Sequence, residues 1–384
     1  MITIDRDYLL TTLADLVRIN SINPDLVPGA PGEAAVAAYV ADNLKRLGLR
    51  VEIVEAAPGR PSVIATLKGK GSGKSIMLNG HIDIVGVDGM SDPFSPSIRD
   101  GKLFGRGAYD MKGSVAACMA AIKALVDANV TLRGDVVLAA VADEEYASIG
   151  TAEVIKHVKA DSAIVTEPTE MEICLAHKGF IWLEVETIGR AAHGSRFDEG
   201  IDANMRMGRF LAELDKLEQE LRARKPHPLV GPPSLHAAIL RGGAELSMYA
   251  ANCKLQIERR TIPGETEAQV IAELQAIIDK LSAADPSFKA SINTLLVRDS
   301  MEVSADAPIV KALTHAATDL LVKQPPYVGR PFWMDAALLA AAGIPTVVMG
   351  PVGAGAHAKE EWVDLGSVEE TAHILANTAM AYCQ

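Results

Sequence analysis

Cysteine is scarce in this chain, and the four present, Cys118, Cys174, Cys253 and Cys383, are scattered with no pair at metal-like or redox-like spacing. That excludes a disulfide scaffold and a thiolate metal site, and suits a reduced compartment. Long apolar runs are missing too, since no stretch approaches the roughly 18 uninterrupted apolar residues of a membrane-spanning helix. The N-terminus carries Asp5 and Asp7 where a secretory leader has a basic segment followed by an apolar one, so a cytoplasmic location is expected. Positive charge is in deficit: 37 Lys and Arg stand against 49 Asp and Glu, for a net charge of -12. A chain without a basic field is poorly suited to nucleic acid or an anionic membrane, and an anionic substrate must be held by a few local cations.

What the chain does have is length and pattern. At 384 residues it exceeds the size at which one hydrophobic core usually stops growing, so two domains are expected. Helical spacing predicts helices over Asp5 to Ile19 and Glu33 to Leu47, and short β-rich runs follow at Val51 to Val54, Ser62 to Leu67 and Ser75 to Leu78. Next come a helix from Met111 to Ala128, an apolar strand from Asp135 to Val141, a helix from Thr151 to Val158 and a strand from Ser162 to Val165. Fully apolar strands alternating with helices predict an α/β fold, a mostly parallel mixed sheet covered by helices.

The rhythm changes near Gly179. Strands at Phe180 to Ile188, Leu235 to Leu240, Lys254 to Arg259 and Lys289 to Val297 alternate with helices at Ala203 to Arg222 and Glu267 to Leu281. That βαββαβ order predicts a ferredoxin-like α+β insert over residues 179–297, splitting the larger domain into 1–178 and 298–384. The closing part carries helices at Ala307 to Leu321 and Asp335 to Ala342, a strand at Ile344 to Met349, a glycine-rich loop with His357, and a helix from Val368.

Gly69-Lys70-Gly71-Ser72-Gly73-Lys74-Ser75 invites reading as a phosphate loop, but its first glycine is one residue too close and a strand follows where a helix must open. The spacing predicts a hairpin turn instead. The chemistry lies elsewhere, in His81, Asp83, Asp110, Glu144, Glu145, Glu167 and His357, which gather at the ends where parallel sheets present ligands. Residues two apart in extended chain share a face, so Asp83 is placed to accept a hydrogen bond from the His81 ring nitrogen that a metal leaves free. Two histidines and three carboxylates, with no cysteine, suit a borderline-hard divalent ion, most plainly zinc, with cobalt or manganese as substitutes. Five ligands exceed what one catalytic ion with an open position needs, and fit two ions about 3.5 to 4 Å apart sharing a carboxylate and a water.

Gly80-His81-Ile82-Asp83, Asp92-Pro93-Phe94, Gly105-Arg106-Gly107-Ala108-Tyr109-Asp110-Met111-Lys112-Gly113, Asp143-Glu144-Glu145, Glu167-Pro168-Thr169, Ala192-His193-Gly194-Ser195 and Ala356-His357 span nearly the whole sequence. Together they resemble the dinuclear zinc amidohydrolases and metallopeptidases that include acetylornithine deacetylase, succinyl-diaminopimelate desuccinylase, aminoacylase and carboxypeptidase G. The resemblance implies a zinc exopeptidase-like catalytic domain and an inserted lid that also makes a homodimer. It implies that His81 and Glu167 hold one ion, that Glu145 and His357 hold the other, and that Asp110 bridges them, with a cis peptide at Asp110-Met111. Glu144 is then the general base acting on a water between the metals. His193 reaches across the dimer interface to the reacting carbonyl, and Arg260 grips the substrate carboxylate.

The expected activity is hydrolysis of the amide bond of N-acyl amino acids. The alternatives are a dipeptidase or carboxypeptidase with the same metal centre, and a binding relative that kept the fold and lost catalysis. Ser247 stands where relatives commonly have asparagine, Ala250 where proline is frequent, and Trp333-Met334-Asp335 where threonine or serine usually precedes the aspartate. These positions line the acyl or side-chain pocket in relatives, so they bear on substrate identity and leave the metal centre unaffected.

Overall fold

The strand Val136–Val141 is buried at every position, the pattern of a strand covered on both faces. It pairs in parallel with Ile76–His81 on one side and antiparallel with Pro61–Leu67 on the other. From one edge the strand order is Arg50–Glu55, Pro61–Leu67, Val136–Val141, Ile76–His81, Ser162–Val165, Thr346–Val348 and then Ile173–His177. The four strands in the middle of that order are parallel, so Val141, His81, Val165 and Val348 all end at the same edge of the sheet. This computed structural model describes residues 2–384.

As far as Leu175 in its last strand, the sheet belongs to the first of two units, formed by the residues up to Leu175 together with Val303–Val328 and Met334–Gln384. Helix Gly113–Asp127 is buried continuously from Gly113 to Ile122, and its many alanines let neighbours approach closely. It packs against helices Arg6–Arg18 and Leu365–Tyr382, while Ala34–Arg46 and Ile149–His157 pack against Pro61–Leu67. No helix among the described residues is long and apolar enough to cross a membrane.

Three sequence expectations are corrected here. The strand expected to stop at Leu78 runs on through Asn79 and Gly80 to His81, so the histidine is the last residue of the strand itself. The helix expected from Met111 begins at Gly113, because Asp110 and Met111 have non-helical backbone angles. The Gly69 to Ser75 segment is no hairpin turn, since the strands it joins both pair with Val136–Val141 and lie on either side of it. Its glycines answer a packing need: a Cβ on Gly69 would sit 2.4 Å from the Gly134 carbonyl oxygen. The segment lies against Leu132 and Arg133, whose carbonyls accept from Lys70 and Gly71. A second sheet was not foreseen; Gly353–Ala354, Trp362–Asp364, Lys102–Phe104 and Ser97–Arg99 form it in that order, all antiparallel.

The second unit comprises Ala176–Glu302 with Gly329–Trp333. Its strands run Ser234–Gly242, Asn252–Thr261, Gly179–Ile188 and Lys289–Arg298 in spatial order, every pair antiparallel. Helices Ala203–Ala223 and Glu267–Ala284 complete the ferredoxin-like βαββαβ arrangement. Ile181, Leu183 and Val185 alternate with Trp182, Glu184 and Glu186, and the first set joins Phe210, Leu255 and Leu274 in one apolar core.

Candidate functional site

His81 ends its strand with an almost fully buried side chain. Its Nδ1 lies 3.0 Å from the backbone carbonyl of Asp83 and 3.5 Å from that residue's Oδ1. The carbonyl is thus the nearer orienting partner, a difference from the carboxylate expected from sequence, and it leaves Nε2 facing the site. The Asp83 carboxylate has another task. It accepts from the amides of Glu144 at 3.1 Å and Glu145 at 3.3 Å, and from Asn23 Nδ2 at 2.8 Å. A fully buried carboxylate therefore orders the loop that carries the two glutamates.

That loop follows Val136–Val141, and Asp143 at its start has a left-handed backbone, φ 67°. Asp143 is itself fixed by Asn23 and by buried Arg60, whose guanidinium also takes Glu33 through two hydrogen bonds at 2.8 Å. Asp110 comes from the segment before helix Gly113–Asp127, and its peptide to Met111 is cis as expected. Lys112, fully buried, donates to the carbonyls of Leu16 at 2.9 Å and Ile19 at 2.8 Å and so ties this segment to the end of the first helix.

The ligand-type atoms converge. His81 Nε2 is 3.1 Å from Asp110 Oδ1 and 3.6 Å from Glu167 Oε1. His357 Nε2 is 2.9 Å from Glu145 Oε2 and 3.3 Å from Asp110 Oδ2. Among the described residues, the sets His81, Asp110, Glu145 and His81, Glu144, Glu167 each bring their ligand atoms within 4.8 Å of one another. The structure thus gathers His81, Asp110, Glu144, Glu145, Glu167 and His357, with Asp83 behind them.

His193 and Arg260 belong to the second unit. The Ser195 amide donates to His193 Nδ1 at 3.2 Å, which makes Nδ1 an acceptor and leaves Nε2 to carry the ring N–H, on an exposed loop. Arg260 donates through Nε to Glu258 at 2.7 Å and lies 5.2 Å over the Phe180 ring, its terminal nitrogens making no hydrogen bond among the described residues.

Electrostatics in this cluster favours cations. Burial opposes an imidazolium at His81, yet the carboxylates of Glu167, Asp110 and Asp83 outweigh it and raise its pKa well above the ordinary value. His357, bonded to Asp110 and Glu145, is pushed up to about 10. Burial also opposes charge on Asp110, but its bonds to His357 and His81 hold it below the usual carboxylate range. Glu145 is raised to about 7 by burial and by Asp110, and Glu144 is raised well above its usual value by burial and by Glu167. Four carboxylates sharing one buried place need positive charge between them. Nitrogen and oxygen donors without sulfur suit borderline-hard divalent ions, so the residues fit the metal chemistry expected of them.

A pH dependence follows. Metal binding needs neutral imidazoles and ionised carboxylates, whereas the metal-free cluster holds protons on His81 and His357 up to high pH. Titrating zinc into metal-free protein near pH 7 should therefore release protons, and apparent affinity should fall about tenfold per pH unit for each proton displaced as the pH is lowered. Calorimetry in buffers of different ionisation heat measures this, and metal uptake without proton release would contradict it.

Two further residues have roles that were not legible in sequence: Asp335, named above only as a pocket position by resemblance, and Glu361, not singled out at all. Asp335 is nearly fully buried and accepts from Thr151 Oγ1 at 2.6 Å, while its Oδ1 has no partner; burial pushes its carboxyl up to about 6. Glu361 accepts from the amides of Tyr109 at 2.9 Å and Asp110 at 3.0 Å. It sits in Lys359-Glu360-Glu361, which by composition reads as a solvated charge run; the one local hint is the β-type Trp362-Val363 that follows.

Comparison with known proteins finds relatives of the chain. Residues 77–381 match peptidase family M20/M25/M40. The chain is 30% identical to N-formyl-4-amino-5-aminomethyl-2-methylpyrimidine deformylase of Bacillus subtilis (strain 168), covering 93% of this chain and 91% of that one. It is 28% identical to acetylornithine deacetylase of Myxococcus xanthus over 98% and 97% of the two chains. Among solved structures, aminopeptidase PepT from Bacillus cereus ATCC 10987 shares the fold with a TM-score of 0.81 at 17% identity, covering 99% of this chain and 100% of that chain.

Proposed function

Because the chain belongs to peptidase family M20/M25/M40, and is thereby a metal-dependent hydrolase of amide or peptide bonds, we propose that it removes the acyl group from N-acyl amino acids. The observation that carries the metal part of this reading is Asp110, whose two oxygens meet two different imidazoles, His81 and His357. One carboxylate shared in this way suits two ions side by side. In this reading His81 and Glu167 serve one ion, Glu145 and His357 the other, and Asp110 both, with zinc the first choice and cobalt or manganese as substitutes.

Divalent ions held there supply Lewis acidity, polarising the amide carbonyl and making water a better nucleophile near neutral pH. Glu144 takes a proton from the water whose oxygen adds to the carbonyl carbon, and returns it to the amine nitrogen as the carbon–nitrogen bond breaks. Asp83 keeps the amides of Glu144 and Glu145 in place. His193 offers Nε2–H to the reacting carbonyl, and Arg260 offers its outer nitrogens to the substrate carboxylate. Pairing of two copies through residues 179–297 is part of the same proposal.

The deacylase reading draws support from the relatives' names, a deformylase and a deacetylase, both of which denote removal of a small acyl group. A second reading, removal of a formyl group from an amine carried on an aromatic ring, is favoured by the name of the 30%-identical relative, a pyrimidine deformylase. Metal analysis of the purified protein, with rates on N-formyl, N-acetyl and N-succinyl amino acids, a formylaminomethyl pyrimidine and dipeptides, separates these. Preference for the acyl amino acids supports the proposal, and preference for the pyrimidine or for dipeptides replaces it. A protein that binds no metal and hydrolyses nothing after zinc, cobalt or manganese is added refutes it.

A further inference from the structure

We propose that Glu361, paired with Arg106, is a positioning residue that sets the Asp110 segment against the His357 loop and thereby governs uptake of both metal ions. The inference rests on the dinuclear reading above. Glu361 and Arg106 are both nearly fully buried. Glu361 Oε1 accepts the amides of Tyr109 at 2.9 Å and Asp110 at 3.0 Å; Oε2 accepts the amide of Gly107 at 3.0 Å and Arg106 Nη1 at 2.7 Å. Arg106 Nη2 donates to the Ala358 carbonyl at 2.7 Å, one residue past His357, and the Gly105 amide donates to the Glu361 carbonyl at 3.1 Å.

These bonds join two segments 255 residues apart in sequence, one carrying the shared carboxylate and the other a histidine ligand. The unforeseen small sheet brings them together, because Trp362 pairs with Phe104 and the ladder leads directly into Glu361 and Gly105. Neither Glu361 nor Arg106 is among the residues whose ligand atoms cluster in the site, so they act through the ligands. A buried ion pair is weak support for a purely stabilising role, since well-packed apolar replacements often serve as well. What this pair adds is direction: three of its acceptor contacts are with backbone amides at or just before Asp110, which fixes where that carboxylate points.

The test is a calorimetric zinc titration of the metal-free full-length protein, compared with Glu361→Gln. Glutamine is nearly isosteric and keeps one oxygen for the amides, and Arg106→Met with Glu361→Gln removes the buried cation as well, should the single variant fail to fold. Thermal melting of the metal-free proteins reports folding independently. The proposal expects both metal-binding steps to weaken by about 10- to 100-fold, the scale of partners that orient ligands, in whichever of these variants melts like the parent. Parent-like binding in a folded variant overturns it, as does weakening of one step only. If the parent itself takes up no zinc, the dinuclear reading fails and this inference with it; two ions on the parent and unchanged binding in the variant sink the inference alone.

Discussion

Glu144→Gln protein is expected to take up metal much as the parent does while turning over its best amide substrate about 100-fold more slowly or worse, the usual scale for a general base. The substitution keeps size and shape and removes one negative charge together with the ability to accept and return a proton. The loop should hold, because the Glu144 and Glu145 amides stay bonded to the Asp83 carboxylate whatever the side chain at 144 becomes. Glu144 lies close enough to His81 and Glu167 to be taken for a ligand by distance alone. Metal analysis beside steady-state rates therefore decides between two roles. Near-full activity with metal bound would remove Glu144 as the base, and loss of one metal equivalent would make it a ligand.

Asp110→Ala should have the broadest effect of any single ligand change. Both oxygens of Asp110 are engaged, Oδ1 toward His81 and Oδ2 toward His357, so its removal should cost both ions. His81→Ala takes a ligand from only one proposed ion. The expected result is near-zero metal content for Asp110→Ala and about one equivalent for His81→Ala, with affinity losses exceeding the roughly 10- to 100-fold typical of a partner that merely orients a ligand. Elemental analysis after dialysis against dilute zinc reads this directly. Equal metal content in the two variants would argue against a shared carboxylate.

The two variants also separate what kinds of information the chain carries. His81, Glu144, Glu145 and Glu167 were legible because each lies at or just past the end of an apolar strand, and strand ends follow from local periodicity. The βαββαβ order of the second unit was legible for the same reason. Asp110 was harder: its importance was carried by the Gly105 to Gly113 motif, and its backbone departs from the helix that periodicity suggested.

By itself, then, the sequence determined the parallel strand-and-helix rhythm, the inserted second pattern and the donor types of the site. Hydrophobic spacing and residue chemistry are local properties, and they survive without knowledge of what lies alongside. Tertiary structure alone decided that the two oxygens of Asp110 face different histidines, and that Asp83 holds the glutamate loop. It also decided that the glycine-rich segment bypasses an intervening strand, and that Glu361 in an acidic run is a buried acceptor beneath the Asp110 segment. Each of these depends on segments far apart in the chain meeting in a shared buried space. There a polar group must find its partner within hydrogen-bond reach, and no local pattern specifies which partner that is.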